Sequence, residues 1–371
     1  MRLAVYNVEN LFDRPCAMNL DTWAEGRKTL EWFSELSQLL GELKYTDKSK
    51  NRMVELLGLL GLEKSDQGPF VTLRRNRGKL LSRPKDQKPV ITASGRAEWS
   101  GTLELRREPV NEVAMLNTAR VIRDLKADVL GVVEAENRPG LVQFNDVLLP
   151  AAGGDPFRHI MLIDGNDSRG IDVGLLTGDG YPIGNVQSHV DDRDAKDNAI
   201  FSRDCPEYSV TTPSGKKILI LLNHLKSKGY GGQVSSDARR KAQAERVAEI
   251  YRERSKAGQR YIVVMGDFND TPSSAALAPL LAGTDLTDAF MHPKFDKGGY
   301  DGTYGLCNAS NKIDFMLLSP DLYKLVNSGG LVRMGMWPGV KPKRWDTYDE
   351  LTKDYEAASD HAAVWVELGG V

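Results

Sequence analysis

Eight short apolar runs do most to limit what this chain can fold into: Leu3–Asn7, Val129–Val133, His159–Ile163, Ile171–Leu176, Ile218–Asn223, Tyr261–Met265, Ile313–Leu318 and Ala363–Leu368. Each has the length of a β-strand. Several are apolar at consecutive positions, so both of their faces must be covered by another layer. Helical patterns lie between them. Thr22–Leu43 carries Leu30, Phe33, Leu36, Leu40 and Leu43 on one stripe, Asn111–Lys126 carries Leu116, Ala119, Ile122 and Leu125, and Asp237–Arg254 carries Ala244, Val247, Ala248 and Tyr251. Asn51–Leu62 is a further helical stretch. Strands alternating with amphipathic helices imply an α/β architecture. With 371 residues, 41% of them hydrophobic, the chain can bury a sizeable core.

Bulk properties exclude several classes. The formal net charge is −2, which singles out no charged partner. No apolar run approaches membrane-spanning length, so no membrane association is expected. Met1-Arg2 leads directly into the first strand, which leaves no room for a signal-peptide core. Cys16, Cys205 and Cys307 are far apart and odd in number, against a disulfide framework or a zinc cluster. The expectation is a cytoplasmic monomer, with no protein partner legible.

One segment differs in character. Residues 72–107 hold ten Lys or Arg (Arg74, Arg75, Arg77, Lys79, Arg83, Lys85, Lys88, Arg96, Arg106 and Arg107) against three acids, Asp86, Glu98 and Glu104. Phe70–Leu73, Val90–Ala93 and Thr102–Leu105 alternate as in a hairpin or small sheet. Such a basic ribbon either steers a polyanion or is simply a solvated surface.

Polar groups recur where the apolar runs end. Tyr261–Met265 runs into Gly266-Asp267-Phe268-Asn269, and the first strand into Asn7-Val8-Glu9-Asn10. Val129–Val133 ends at Glu134-Ala135-Glu136, and Ile218–Asn223 at His224-Leu225-Lys226. Asp314 interrupts an apolar strand, and Asp360-His361 directly precedes the last one. Singly, each could cap a turn. Together they place acids, amides and imidazoles at strand ends, which converge on one rim in layered α/β folds. Oxygen-rich ligands without cysteine suit Mg²⁺, or Mn²⁺ or Ca²⁺. The implied chemistry is metal-assisted displacement at phosphorus.

In order and spacing these motifs resemble the signature set of the endonuclease/exonuclease/phosphatase superfamily, the deoxyribonuclease-I-like fold. The resemblance frames nearly the whole chain as one catalytic domain. It implies a four-layer α/β sandwich, with two mixed β-sheets face to face and helices outside. By motif, Asn7, Glu134 and Asp360 match the metal site, Asp267 the residue that activates the attacking water, and Asn269 the amide that contacts phosphate. His224 matches the histidine that stabilises phosphate or protonates the leaving oxygen, and Lys226 a phosphate contact. His361 matches the imidazole acting as base or phosphate donor, and Asp314 the acid that fixes its tautomer. Val133 stands where the family usually has Gln before the metal Glu, and His224 where apurinic-site repair enzymes usually have Tyr.

The run Asp164–Gly174 resembles the Arg-Gly-Ile-Asp-Val stretch of bacterial nuclease-like members. Arg169 there either clamps a phosphate or pairs with an Asp in a turn; Asp172 is either buried and paired or part of the site. Arg203 either faces substrate or lies on a surface loop, the loop being the expectation, and Trp99 and Trp337 are expected in the core rather than stacked on bases. Residues 14–110 form an insertion, helical and then basic β, well beyond a single crossover helix. The expected activity is hydrolysis of phosphodiester bonds in DNA or RNA. The alternatives are action on a small phosphate ester, or an inactive protein that binds nucleic acid.

Overall fold

The computed structural model describes residues 1–18, 23–167, 169–228, 233–340 and 342–371. The chain divides into two compact units, one of Met1–Phe12, Val110–Ser227 and Val234–Val371, the other of Asp13–Pro109 with Lys228–Gln233.

The larger unit is built on two mixed sheets. The first runs Phe295–Asp296, Val326–Val332, Ala363–Leu368, Arg2–Asn7, Val129–Ala135, Asp172–Thr177, His159–Ile163. The second runs Ile183–Gln187, Glu207–Thr211, Lys217–His224, Ile262–Asp267, Asp314–Leu318, Thr287–Asp288. Strand alternation decides which side chains meet between them. Leu3, Val5, Val133 and Val173 of the first sheet share a core with Ile218, Ile220, Leu222, Val263 and Met265 of the second. Ala4, Tyr6, Leu130 and Val132 point the other way and are covered by Ala119, Val121, Ile122 and Leu125 of the helix Glu112–Leu125. Leu221, Val264 and Phe315 on the outer face of the second sheet meet Ala244, Val247, Ala248 and Tyr251 of the helix Gln233–Lys256. The order helix, sheet, sheet, helix is the expected four-layer sandwich. The helix Glu112–Leu125 starts where the Asn111 side chain accepts the Val113 and Ala114 N–H groups, and stops where Lys126 turns left-handed at φ 48°.

All eight expected strands form, within one or two residues of the expected ends. Ile183–Gln187, Glu207–Thr211 and Val326–Val332 form as well and were not anticipated.

The smaller unit has its own core. Phe33, Leu36, Leu40, Met53, Leu56, Val71, Leu73, Ile91, Trp99 and Leu103 pack together from the helices Trp23–Gly41 and Asp47–Leu59 and from the short strands. The expected helix start at Thr22 lies outside the described residues. Leu43 does not join the stripe: the helix ends at Gly41, and Leu43 is 89% exposed. Val71–Gly78 pairs antiparallel with Trp99–Leu105, and Leu81–Ser82 with Val90–Ile91. Trp99 is buried and donates its Nε1–H to the Tyr45 hydroxyl.

Much of the basic segment's charge is used inside this unit. Arg74 makes a bidentate pair with Glu104, and Arg75 and Arg83 share Asp66. Arg96 lies over the Trp99 ring and donates to the Gly101 carbonyl, and Arg106 donates to the carbonyls of Gly68 and Pro69. Arg77, Lys79, Lys85 and Lys88 are exposed. No helix among the described residues is long and apolar enough to cross a membrane.

Candidate active site

Backbone register creates the site. On the second sheet, His224 lies opposite Asp267, and Asp267 opposite Asp314, so three polar side chains form a row across adjacent strand ends. Gly266 makes this register possible. Its φ is +139°, and a Cβ there would lie 1.8 Å from the Asn223 carbonyl oxygen. Only glycine lets the two strands approach so closely before Asp267. On the first sheet, Asn7 lies opposite Val133. Glu134 is then the extra residue of a bulge, since Val133 faces Val173 while Ala135 faces Asp172. It stands in the left-handed region at φ 69°, which turns its carboxylate off the strand's regular alternation.

Asp267 is the centre. It is buried, and its Oδ2 accepts from Asn7 Nδ2 at 3.2 Å and Asn269 Nδ2 at 3.0 Å. Its Oδ1 accepts the Asn269 backbone N–H at 2.8 Å, which closes the turn after the strand. His224 Nε2 lies 3.5 Å from both Asp267 Oδ2 and Glu134 Oε1, so it joins the acids of the two sheets. His361 Nδ1 faces Asp314 at 2.9 Å, leaving Nε2 toward Asn7 at 3.4 Å, Asp360 at 3.6 Å and Asp267 at 3.9 Å.

These contacts sort the roles. Asn7 spends its Oδ1 on the Glu9 N–H and turns its nitrogen to Asp267, so it supports that carboxylate. Asp314 holds His361 in one orientation, the pairing expected from the sequence. Burial alone would lower the His361 pKa, but Asp314 and Asp360 outweigh it and hold the imidazole well above its ordinary value. The Asp267 carboxyl is pushed up, mainly by burial, with His361 opposing. Burial, with Arg203 and Arg169 nearby, holds His224 well below its ordinary value and therefore neutral. The same three influences bring half-buried Lys226 down to about 7.

Asp267, Asp314 and His361 each offer a ligand atom, all within 4.8 Å of one another, and this buried group could hold a metal ion. Within that group His361 is engaged as a donor to Asp314. The oxygen donors on the inner side are those of Asp267 and Glu134, a set suited to a hard cation. Asp360 lies at the edge, 39% exposed.

Arg169 takes the turn arrangement: Asp167 accepts its Nη2 at 2.6 Å and its Nε at 3.0 Å. Asp172 is buried, accepts the Gly165 N–H at 2.7 Å, and is pushed up to about 7 by burial. Glu136 accepts the Leu11 and Phe12 N–H groups and so braces the chain after the first strand. Glu9 Oε2 accepts the Asp360 N–H at 3.1 Å. One residue went unread in the sequence and another was misplaced. Tyr304 pairs backbone to backbone with His361, and its ring centre lies 5.0 Å from the imidazole. Arg203, expected on a surface loop, is 1% exposed because Asp167 and the Leu225 carbonyl hold its guanidinium inside.

Comparison with known proteins bears on this geometry. The sequence profile of the Endonuclease/Exonuclease/phosphatase family matches residues 109–361. The chain belongs to this family. The matched stretch includes Glu134, His224, Asp267, Asn269, Asp314, Asp360 and His361, while Asn7 precedes it. Among solved structures, a mannosyl-6-phosphatase from Bacteroides thetaiotaomicron shares 16% identity at a TM-score of 0.52, covering 69% of this chain and 91% of that one. An endonuclease/exonuclease/phosphatase family protein of the same organism shares 16% at 0.49, covering 69% and 89%. The human Nocturnin catalytic domain with bound sulfate shares 14% at 0.47, covering 70% and 87%. No curated protein matches the sequence. Members of the family are hydrolases of phosphate esters, and the fold here is theirs.

Proposed function

We propose that this chain hydrolyses phosphodiester bonds in nucleic acid with a divalent cation, Mg²⁺ or its substitutes Mn²⁺ and Ca²⁺, bound at the rim. The supporting observation is the Asp267 carboxylate, buried between two amides and two imidazoles. That setting suits a group that orients a water and takes its proton. Glu134 and Asp360, with Asn7 steadying Asp267, are the residues we assign to the cation. When bound, a cation there supplies charge neutralisation to the phosphate oxygens.

The chain's own groups divide the remaining tasks. His361, backed by Asp314, presents Nε2–H to a phosphate oxygen. Asn269, whose amide is fixed by Asp267 and the Leu225 carbonyl, orients the same group. Neutral His224 serves the leaving oxygen as hydrogen-bond donor, and Lys226 and Arg169 balance charge on the substrate.

A small phosphate ester is the second reading. It is favoured by the use of Arg74, Arg75, Arg83, Arg96 and Arg106 within the smaller unit, which leaves fewer cations for a polyanion. A panel of plasmid, single-stranded DNA, RNA and small phosphate esters, each with Mg²⁺, Mn²⁺ or chelator, tests both. Cation-dependent cleavage of nucleic acid supports the first. Turnover confined to small esters establishes the second. DNA binding with no hydrolysis of any ester contradicts both and leaves an inactive binding protein.

A further inference from the structure

A buried arginine sits behind the His224–Asp267–Asn269 group and takes no part in the proposed hydrolysis. Arg203 Nη2 donates to the Leu225 carbonyl at 2.7 Å, and Nη1 to Asp167 Oδ2 at 3.0 Å. The Leu225 carbonyl also accepts Asn269 Nδ2 at 3.1 Å, and the Leu225 N–H donates to the Asp267 carbonyl at 2.9 Å. Leu225 is the residue between His224 and Lys226. At the other end, Asp167 is the bidentate acceptor of Arg169 and also accepts its backbone N–H at 3.0 Å.

Removing a guanidinium from water costs several kcal/mol unless its charge is matched. Asp167 matches it only in part, because the same carboxylate is shared with Arg169. The arrangement exploits the shape of arginine: a planar fork reaches a carbonyl and a carboxylate in fixed directions, which a lysine ammonium cannot do. Arg203 is 1% exposed, so it does not meet substrate.

We infer that Arg203 is a positioning residue of the site: it clamps the Leu225 carbonyl beside Asn269 and, through Asp167, anchors Arg169, so that one buried guanidinium sets the places of His224, Lys226, Asn269 and Arg169. This inference rests on the proposed phosphoesterase reading.

The test compares wild type with Arg203→Ala and Arg203→Lys on a phosphodiester substrate in Mg²⁺. Melting curves and amide hydrogen exchange at Leu225 are recorded alongside. Both variants should stay folded, lose roughly 10–100-fold in kcat, as residues that orient a site's ligands do, and exchange the Leu225 amide faster. Guanidinium ion should restore kcat to the Ala variant, whereas methylammonium at the same concentration should not. Turnover within about twofold of wild type in both variants overturns the inference, as does lost activity that guanidinium does not restore in a folded Ala variant. If neither variant folds, Asp167→Asn decides: a raised KM from an unanchored Arg169 supports the inference, and unchanged kinetics overturn it. A wild-type enzyme without any hydrolysis overturns the proposed function instead. Leu225 exchange in Arg203→Lys then decides the clamp by itself, faster exchange upholding it and unchanged exchange overturning it.

Discussion

Single residues carry the proposed chemistry because the backbone leaves each of them one place to go. Gly266 shows this best, with φ at +139° and a Cβ that would meet the Asn223 carbonyl at 1.8 Å. Gly266→Ala should destabilise the protein by at least ~1–3 kcal/mol, the usual cost of a backbone held in a disfavoured region; urea unfolding of the purified variant measures it. Asp314→Asn should leave the fold intact but lower kcat by roughly 10²–10⁴-fold, because His361 loses the acceptor that orients its Nε2. Steady-state kinetics beside a melting curve checks this, and near-normal kcat would contradict the assigned pairing. The polar residues at strand ends were legible in the sequence because an acid or amide at the end of an apolar run is conspicuous. Arg203 was not, because its burial depends on Asp167, 36 positions away, and on one main-chain carbonyl. Tyr304 was not, because only the pairing of residue 304 with 361 brings it to the site.

Elements were legible in proportion to how plainly their residues were apolar. Glu207–Thr211 escaped notice because it opens on an acid. Glu207 is nonetheless buried, accepting from Arg254 at 2.6 Å and facing His189 Nε2 at 2.8 Å. Val326–Val332 escaped because it contains Gly329, which close packing requires: a Cβ there would lie 2.6 Å from the Phe295 ring. His189 ties the strand Glu207–Thr211 to the helix Gln233–Lys256. Its Nδ1 faces Asp192 at 3.0 Å, its N–H donates to Asp204, and Arg246 and Arg254 of the long helix hold Asp192 and Glu207. Burial pushes the His189 pKa down, but Glu207 and Asp192 outweigh it, and the folded value lies above the ordinary 6.5. The charged imidazole therefore contributes stability that is fully present below about 6.5 and is lost as pH rises through the raised folded value. The stability gap between wild type and His189→Gln should accordingly shrink from pH ~6 to pH ~9. Urea unfolding at the two pH values measures it, and a constant gap would contradict the account.

The whole molecule is a four-layer sandwich unit and a smaller unit with its own core. The α/β alternation could be expected from eight apolar runs because strand periodicity is local, whereas the four layers were implied only by the motif resemblance. The spending of the basic segment's charge could not, because Asp66, which takes both Arg75 and Arg83, lies outside the counted window. The exposed cations that remain make the nucleic-acid reading testable. Reversing Arg77, Lys79, Lys85 and Lys88 to Glu should raise KM for a long polyanion and leave turnover of a small ester unchanged. It should also flatten the salt dependence of binding by ~1 in log–log slope for each phosphate no longer neutralised. An unchanged KM and salt slope would move the substrate to the small-ester class. The claim beneath all of this is cation-dependent hydrolysis centred on Asp267. It is tested most directly by the turnover of Asp267→Asn beside wild type, on a phosphate ester that wild type cleaves, in Mg²⁺ and in excess chelator. Wild-type turnover should vanish on chelation and return with the cation, while the folded variant in Mg²⁺ stays lower than wild type by roughly 10²–10⁴-fold. Turnover near wild type in the variant, or hydrolysis indifferent to chelator, would contradict it.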